Sequence, residues 1–166
     1  MDVFQARLNE ILIDVFWNIL KVQEDFVKRV CNEDISLSEM HLIEAVGDCN
    51  LQAAKRHTDC NCSGGTTISE LAETLNITLP SVTNGIKRLL NKHCVEKVRC
   101  ANDGRMVYVR LTPLGQEIYD RHHNFHQRMV ESMAAQLSEA EKRALIKGIE
   151  GLNAFFKQKI IQESQK

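Results

Sequence analysis

Proline is scarce in this chain, with two in 166 residues, and glycine is held to eight. So few backbone breakers argue against a loop-rich or many-stranded fold and favour long helices. Also missing is any apolar run near the roughly 18–20 residues that a membrane span needs, so no membrane partner is expected. Asp2, Arg7, Glu10 and Asp14 do not suit a secretory signal. The six cysteines follow no disulfide-framework spacing, which suits a reducing, cytoplasmic setting. No Gly-rich phosphate loop, Ser-His-Asp order or paired-carboxylate motif is present, so an enzyme is not expected. An excess of one charge is absent as well: 21 basic against 22 acidic residues. Any case for nucleic-acid binding must therefore be local. What remains, 43% hydrophobic and 26% charged residues, is enough to bury the core of one domain with extensions.

The even balance hides a strong asymmetry. Residues 1–50 carry ten acids and four bases. Residues 85–110 carry seven bases (Lys87, Arg88, Lys92, Lys97, Arg99, Arg105, Arg110) against Glu96 and Asp103. A solvated helix face could account for such a block by itself, so its meaning depends on the elements that carry it.

Phe4, Leu8, Ile11, Val15, Ile19, Val22 and Phe26 recur in steps of three and four, a helix from about Val3 to Val30. Ser36 or Ser38 can cap a second helix that ends at Gly47. Residues 48–66 are polar, hold three cysteines and close on Gly64-Gly65. They predict a long Cys-rich insertion, with at most a helical turn near Leu51–Lys55. Thr67 with Glu70 forms a capping box before a short helix that Asn76 closes. Thr78 opens the next helix, with Pro80 in its first turn. Val95–Cys100 and Met106–Leu111 flank the polar turn Ala101-Asn102-Asp103-Gly104 and predict a hairpin. Pro113 starts a helix to about Gln136. Ser138 caps a last one, with its own apolar stripe from Leu145 to Ile160.

Helix, short turn, helix and basic hairpin make a winged helix-turn-helix, and the basic block falls on it. A helix fits the major groove with its N-terminal polar residues at base edges, while hairpin cations reach phosphates or the minor groove. The expected architecture is mostly α with a small β-hairpin wing and long terminal dimerisation helices. Residues 36–111 form the DNA-binding region, with the insertion at 48–66. Residues 1–35 and 112–166 form the helical dimerisation region, whose stripes would be buried against a second copy. The candidate DNA-binding residues are Pro80, Ser81, Thr83, Asn84, Lys87, Arg88, Arg99, Asp103 and Arg105. A two-fold homodimer would match a pseudo-palindromic operator in double-stranded DNA.

The segments ISLSEMHLIEAVG (35–47), TISELAETLNITLPSVTNGIKRLLNKHCVEKVR (67–99), NDGRMVYVRLTPLG (102–115) and HHNFHQRMV (122–130) resemble the MarR family of bacterial winged-helix regulators. MHLIEAVG and HNFHQRMV look most like the branch that represses fatty-acid synthesis genes. The resemblance implies a transcriptional repressor controlled by an effector. Two departures stand out. The wing tip reads Asp103-Gly104-Arg105 where the family usually has Asp-Arg-Arg, and family likeness implies that Asp103 orients Arg105. The Cys-rich stretch exceeds the family's usual loop.

His122 and His126 lie four apart on one helix face, a spacing that metals use. With Glu24 and His41 they are similar to the ligand set of zinc-responsive members, so zinc is a candidate ligand though no cofactor is required. A hydrogen-bonded histidine cluster, or a pocket for an organic ligand, fits the same residues. Phe16, Trp17, Phe125 and Met129 are candidates for an effector pocket that takes an acyl chain or acyl carrier protein, or for ordinary core. Cys49, Cys60 and Cys62 with His57 suit thiol-redox sensing, a metal, or a mobile loop with spare thiols.

Overall fold

A computed structural model describes residues 1–30, 35–56, 65–100 and 105–164. Six helices and one hairpin follow each other: α1 (Val3–Val30), α2 (Leu37–Arg56), α3 (Ile68–Leu75), α4 (Leu79–Asn91), β1 (Val95–Arg99), β2 (Val107–Leu111), α5 (Pro113–Ala134) and α6 (Glu139–Ser164). This is the mostly helical winged architecture expected from the sequence. No described helix is long and apolar enough to cross a membrane.

Two compact units divide the chain, Met1–His123 and Asn124–Lys166, so that α5 contributes to both. In the first, Met40, Ile43 and Val46 of α2, Leu71 of α3, Val82, Ile86 and Leu89 of α4, and Val95 and Val109 of the hairpin form one buried cluster. Phe26 near the end of α1 packs against it, and Ile118 and Tyr119 of α5 belong to it. The unit therefore gathers α1 and the start of α5 around the winged segment, where the sequence grouping sets 1–35 and 112–166 apart. Further toward its start α1 leaves Phe4, Leu8, Ile11, Phe16 and Trp17 exposed. The second unit holds the end of α5 and α6. Ser138 and Glu141 cap α6 reciprocally, at 2.8 and 3.4 Å, and Ile146, Ile149, Phe155, Phe156 and Ile160 are exposed along it.

One boundary differs from expectation. Gly47 is expected to end α2 before a loop at 48–66, yet the helix runs on to Arg56. The glycine serves packing instead of a C-cap: a Cβ there would lie 2.4 Å from Tyr119 Cδ2. The Tyr119 hydroxyl donates to Asp48 Oδ1 at 2.6 Å, and this contact with α5 holds α2 together past the glycine. Cys60, Cys62 and His57 lie outside the described residues, as does Cys31.

β1 and β2 pair antiparallel with Val95 opposite Leu111, Lys97 opposite Val109 and Arg99 opposite Val107. Thr66, just before α3, adds an isolated bridge to Val109, with bonds of 3.1 and 2.7 Å. The hairpin root is thereby tied to the start of α3, which fixes the wing against the helix-turn-helix.

Candidate nucleic-acid interface

Local chemistry sets the two helices of the reading head. The Thr67 hydroxyl accepts from Glu70 N–H at 3.2 Å, while Thr67 N–H donates to Glu70 Oε2 at 2.7 Å. Asn76 then takes a left-handed conformation, φ 52°, where asparagine is among the residues that tolerate it. Its neighbour Ile77 returns an N–H to Ala72 at 3.1 Å. Thr78 caps α4, with Pro80 in the first turn, where a missing N–H costs little.

On α4, Val82, Gly85, Ile86 and Leu89 are buried. That face leaves Pro80, Ser81, Asn84, Lys87 and Arg88 exposed and Thr83 half-buried. Two hydroxyls are already engaged at the helix start. Ser81 and Thr78 share a hydrogen bond at 2.9 Å, and Thr83 donates to the Leu79 carbonyl at 2.8 Å. Asn84 and Lys87 are the outward-facing groups beyond them. Arg99 and Arg105 are exposed on the wing. Asp103, expected to orient Arg105, lies outside the described residues.

Arg88 has a role that the sequence did not disclose. Its Nε donates to Glu39 Oε1 at 2.9 Å, and Lys92 Nζ donates to Glu39 Oε2 at 2.9 Å. Glu39 is 2% exposed and also accepts from the Ser36 backbone at 2.8 Å and hydroxyl at 3.0 Å. Ser36, not Ser38, therefore starts α2. Burial opposes the charge on Glu39, but the bonds from Lys92, Ser36 and Arg88 outweigh it and hold its pKa at about 2. The carboxylate thus ties α2 to the last turns of α4 and fixes how the reading helix sits.

The histidine set is brought together only in part. His122 is 2% exposed, its Nδ1 lies 3.3 Å from Glu44 Oε1, and its ring meets Phe26 edge-on at 5.2 Å. His126 follows one turn along α5 and contacts Phe125 edge-on. Glu24 and His41 are exposed, and no group of three ligating side chains among the described residues includes either. The carboxylate beside His122 is Glu44, which lies one helical turn past His41 on α2 and was not among the candidates.

Of the effector-pocket candidates, Phe16 and Trp17 are exposed on α1 and touch edge-on at 6.3 Å. Phe125 is half-buried and Met129 exposed on α5. Among the described cysteines, Cys94 is buried and Cys49 and Cys100 are half-buried, and none of the three is in a disulfide. Cys49 Sγ lies 3.9 Å from Thr74 Oγ1.

A helix-turn-helix whose second helix exposes polar side chains from its first turns, followed by a hairpin with cations near its tip, defines a winged-helix protein of the kind that reads duplex DNA. Comparison with known proteins agrees. The MarR family profile matches residues 58–107. The crystal structure of Streptococcus pneumoniae FabT in complex with DNA superposes with a TM-score of 0.74 at 31% identity, covering 93% of this chain and 98% of that one. The transcriptional regulator PchR of Bacillus subtilis is 21% identical over 87% of each chain. The multiple antibiotic resistance protein MarR of Salmonella typhimurium is 34% identical over 45% of this chain and 55% of its own. The chain belongs to the MarR family and is a DNA-binding transcriptional regulator.

Proposed function

We propose that the protein is a homodimeric repressor of the cytoplasm that binds a pseudo-palindromic operator and controls fatty-acid synthesis genes. The observation that carries the reading is the placement of Asn84 and Lys87 on the outward face of α4 in the same compact unit as Arg99 and Arg105 on the wing. On this reading Asn84 meets a base edge, and the cations meet phosphates or the minor groove. Pro80, Ser81 and Thr83 shape the helix start that approaches the bases. Arg88 acts on DNA chiefly by holding α4 through Glu39.

Pairing of two copies accounts for apolar side chains that one chain leaves in water. Phe4, Phe16 and Trp17 on α1, and Ile149, Phe156 and Ile160 on α6, are exposed. Exposed apolar stripes of this kind mark an interface. A two-fold pair would present two reading heads to two half-sites. The fatty-acid target is supported by the likeness to FabT and by the segments MHLIEAVG and HNFHQRMV. The effector on this reading is an acyl chain or acyl carrier protein, with Phe16, Trp17, Phe125 and Met129 as the apolar contacts. It would act by shifting the population between DNA-competent and incompetent dimers.

Selection of bound fragments from a random duplex library, with sedimentation of the purified chain, tests the proposal. An inverted-repeat motif bound by a dimer is expected, and its affinity should change on adding acylated carrier protein. A monomer, or no enrichment above random duplex at moderate salt, would reject it.

A second reading is favoured by one contact. Glu44 Oε1 beside His122 Nδ1, with His126 one turn along the same helix, offers a carboxylate and two imidazoles of the type that hold zinc. On this reading Glu44 takes the place of Glu24 as the carboxylate ligand, and His41 is not a ligand. Calorimetric titration of metal-free protein with zinc should find a site tighter than micromolar that His122→Ala removes; a flat titration returns the contact to a purely structural role.

A further inference from the structure

Asn84 and Arg88 lie one turn apart on α4 and so share a face, with Cβ atoms about 6 Å apart. A cation one turn past a base-reading position can reach the phosphates that border the groove. We infer that Glu39 is a specificity-determining residue: by holding Arg88 and Lys92 to the body of the protein it withholds them from the DNA backbone, so that tight binding depends on the base contacts of α4. The inference rests on the DNA-binding reading above, with α4 as the reading helix. Glu39 acts in it as a positioning residue and touches no DNA.

Close packing of two helices makes the arrangement. A Cβ on Gly85 would lie 2.2 Å from Leu42 Cδ1, so a side chain there would keep α4 from lying this near α2. Leu42 is one turn past Glu39, and Arg88 is one turn past Gly85, so the approach at Gly85 sets the guanidinium over the carboxylate. Arg88 Nε donates to Glu39 Oε1 and Lys92 Nζ to Oε2, each at 2.9 Å. Arg88 Nη2 lies 3.9 Å from the Cβ position of Gly85. Gly85 is buried, so the end of the guanidinium also lies back toward the flank of α4 that packs on α2.

The carboxylate is the fixed member of the set. It is 2% exposed, against 54% for Arg88 and 26% for Lys92. The Ser36 backbone and hydroxyl hold it at the start of α2, at 2.8 and 3.0 Å. The cations come to it from the solvent side. For Arg88 to turn to a phosphate, it must leave a buried anion with one fewer partner, which is costly.

Two consequences follow for recognition, and both act on the same ratio. Phosphate attraction strengthens binding to every duplex alike and carries no sequence information. A cation withheld from phosphate therefore lowers sequence-independent binding. The same bonds fix α4 on α2, and hydrogen bonds to base edges need that placement, whereas a phosphate contact tolerates a shift. Loss of the Glu39 charge should thus raise binding to random duplex and weaken the base contacts that mark the operator.

The test compares Glu39→Gln, Arg88→Gln and the double variant on the operator duplex from the selection experiment and on a random duplex of equal length, across a range of salt. Glu39→Gln should bind random duplex about tenfold more tightly than wild type at low salt, with a slope steeper by about 1 per subunit. Its ratio of operator to random affinity should fall about tenfold or more. In the double variant most of the gain on random duplex should vanish, because Arg88 is the more exposed of the two cations. Arg88→Gln alone should lower the slope by less than half as much as Lys87→Gln, whose side chain faces outward. Circular dichroism at the binding temperature confirms that each variant is folded. Should Glu39→Gln be unfolded there, the comparison of Arg88→Gln with Lys87→Gln decides by itself.

If Glu39→Gln binds random duplex no more tightly than wild type, with an unchanged slope, Glu39 is a structural tie alone and the inference is overturned. A slope that flattens instead means that Arg88 reaches phosphate while Glu39 holds it, which overturns it equally. So does an Arg88→Gln slope that falls as far as that of Lys87→Gln. Failure of the wild-type chain to bind any duplex rejects the underlying reading, and is seen before any variant is compared.

Discussion

Arg88 Nε lies 2.9 Å from Glu39 Oε1, so a cation of the reading helix is committed to the body of its own protein. Lys92 reaches the other carboxylate oxygen at the same distance. Of the bases on α4, Lys87 is left facing outward. On the proposed reading the helix would approach DNA as a largely neutral, polar surface, with the wing supplying most of the charge. In such an arrangement α4 serves sequence recognition and the hairpin serves affinity.

Glu39→Gln should destabilise the fold by roughly 2–3 kcal/mol at neutral pH. The figure is discounted from the roughly 3.4 kcal/mol that a carboxylate pKa lowered from 4.5 to about 2 implies. It stays below the cost of stranding a fully buried charge, because Arg88 and Lys92 keep side-chain exposures of 54% and 26% and can turn to water. The pKa is depressed on folding, so the stabilisation is full above pH 4.5 and is lost as pH falls toward 2. Denaturant unfolding at pH 7 and pH 3 checks this: the wild type should lose stability between the two, and the variant should lose less.

Gly47→Ala should destabilise by about 1–3 kcal/mol through overpacking, since the new methyl would fall 2.4 Å from Tyr119 Cδ2. Were Gly47 a helix end, the same change would act through a left-handed backbone and leave Tyr119 untouched. Tyr119→Leu, which removes the ring, separates the two cases, and Tyr119→Phe isolates the hydrogen bond. It removes the bond to Asp48 at a cost of about 1 kcal/mol and leaves the steric demand of the ring in place. Burial, with the nearby carboxylates of Asp48, Glu44 and Asp120, pushes the tyrosine pKa above its ordinary range, so this donor should persist through alkaline conditions. In a stability series Gly47→Ala should add nearly independently to Tyr119→Phe and couple to Tyr119→Leu.

Those two contacts mark how far the sequence could be read. Helix starts were legible because their signals are local: Thr67 with Glu70, Thr78 with Pro80, and Ser138 with Glu141 lie within one turn. The hairpin was legible from the alternation of Val107, Val109 and Leu111. Glu39 with Arg88, Gly47 with Tyr119, and Glu44 with His122 join residues far apart in the chain, and no periodicity announces such pairs. Gly47 followed by Asp48 carries the local signature of a helix stop, and packing against α5 overrides it. For the DNA interface, residue types and faces were readable, whereas the distinction between a cation facing DNA and one facing Glu39 required the tertiary fold.

Ile149→Asp on α6 should leave the stability of a single chain within about 0.5 kcal/mol, because Ile149 is 52% exposed. Placed in a two-fold interface, the same change buries unpaired like charges twice and should shift sedimentation from dimer to monomer. Operator affinity should fall with it, since each half-site would then be bound alone. A variant that stays dimeric and binds normally would remove α6 from the pairing surface.

Asn84→Ala and Arg105→Ala should fail in different ways, and the contrast tests the division of labour between helix and wing. Asn84 is neutral and outward on α4, so its loss should cost about 1–3 kcal/mol of discrimination at one base pair of each half-site. The salt dependence should not change, because no phosphate contact is lost. Arg105 is a wing cation, so its loss should weaken binding to all sequences alike and lower the salt slope by about 1 per subunit. Affinities for operators mutated at each position, at two salt concentrations, supply both readouts. If Asn84→Ala flattened the salt slope while Arg105→Ala relaxed a single base preference, the roles of α4 and the wing would have to be exchanged.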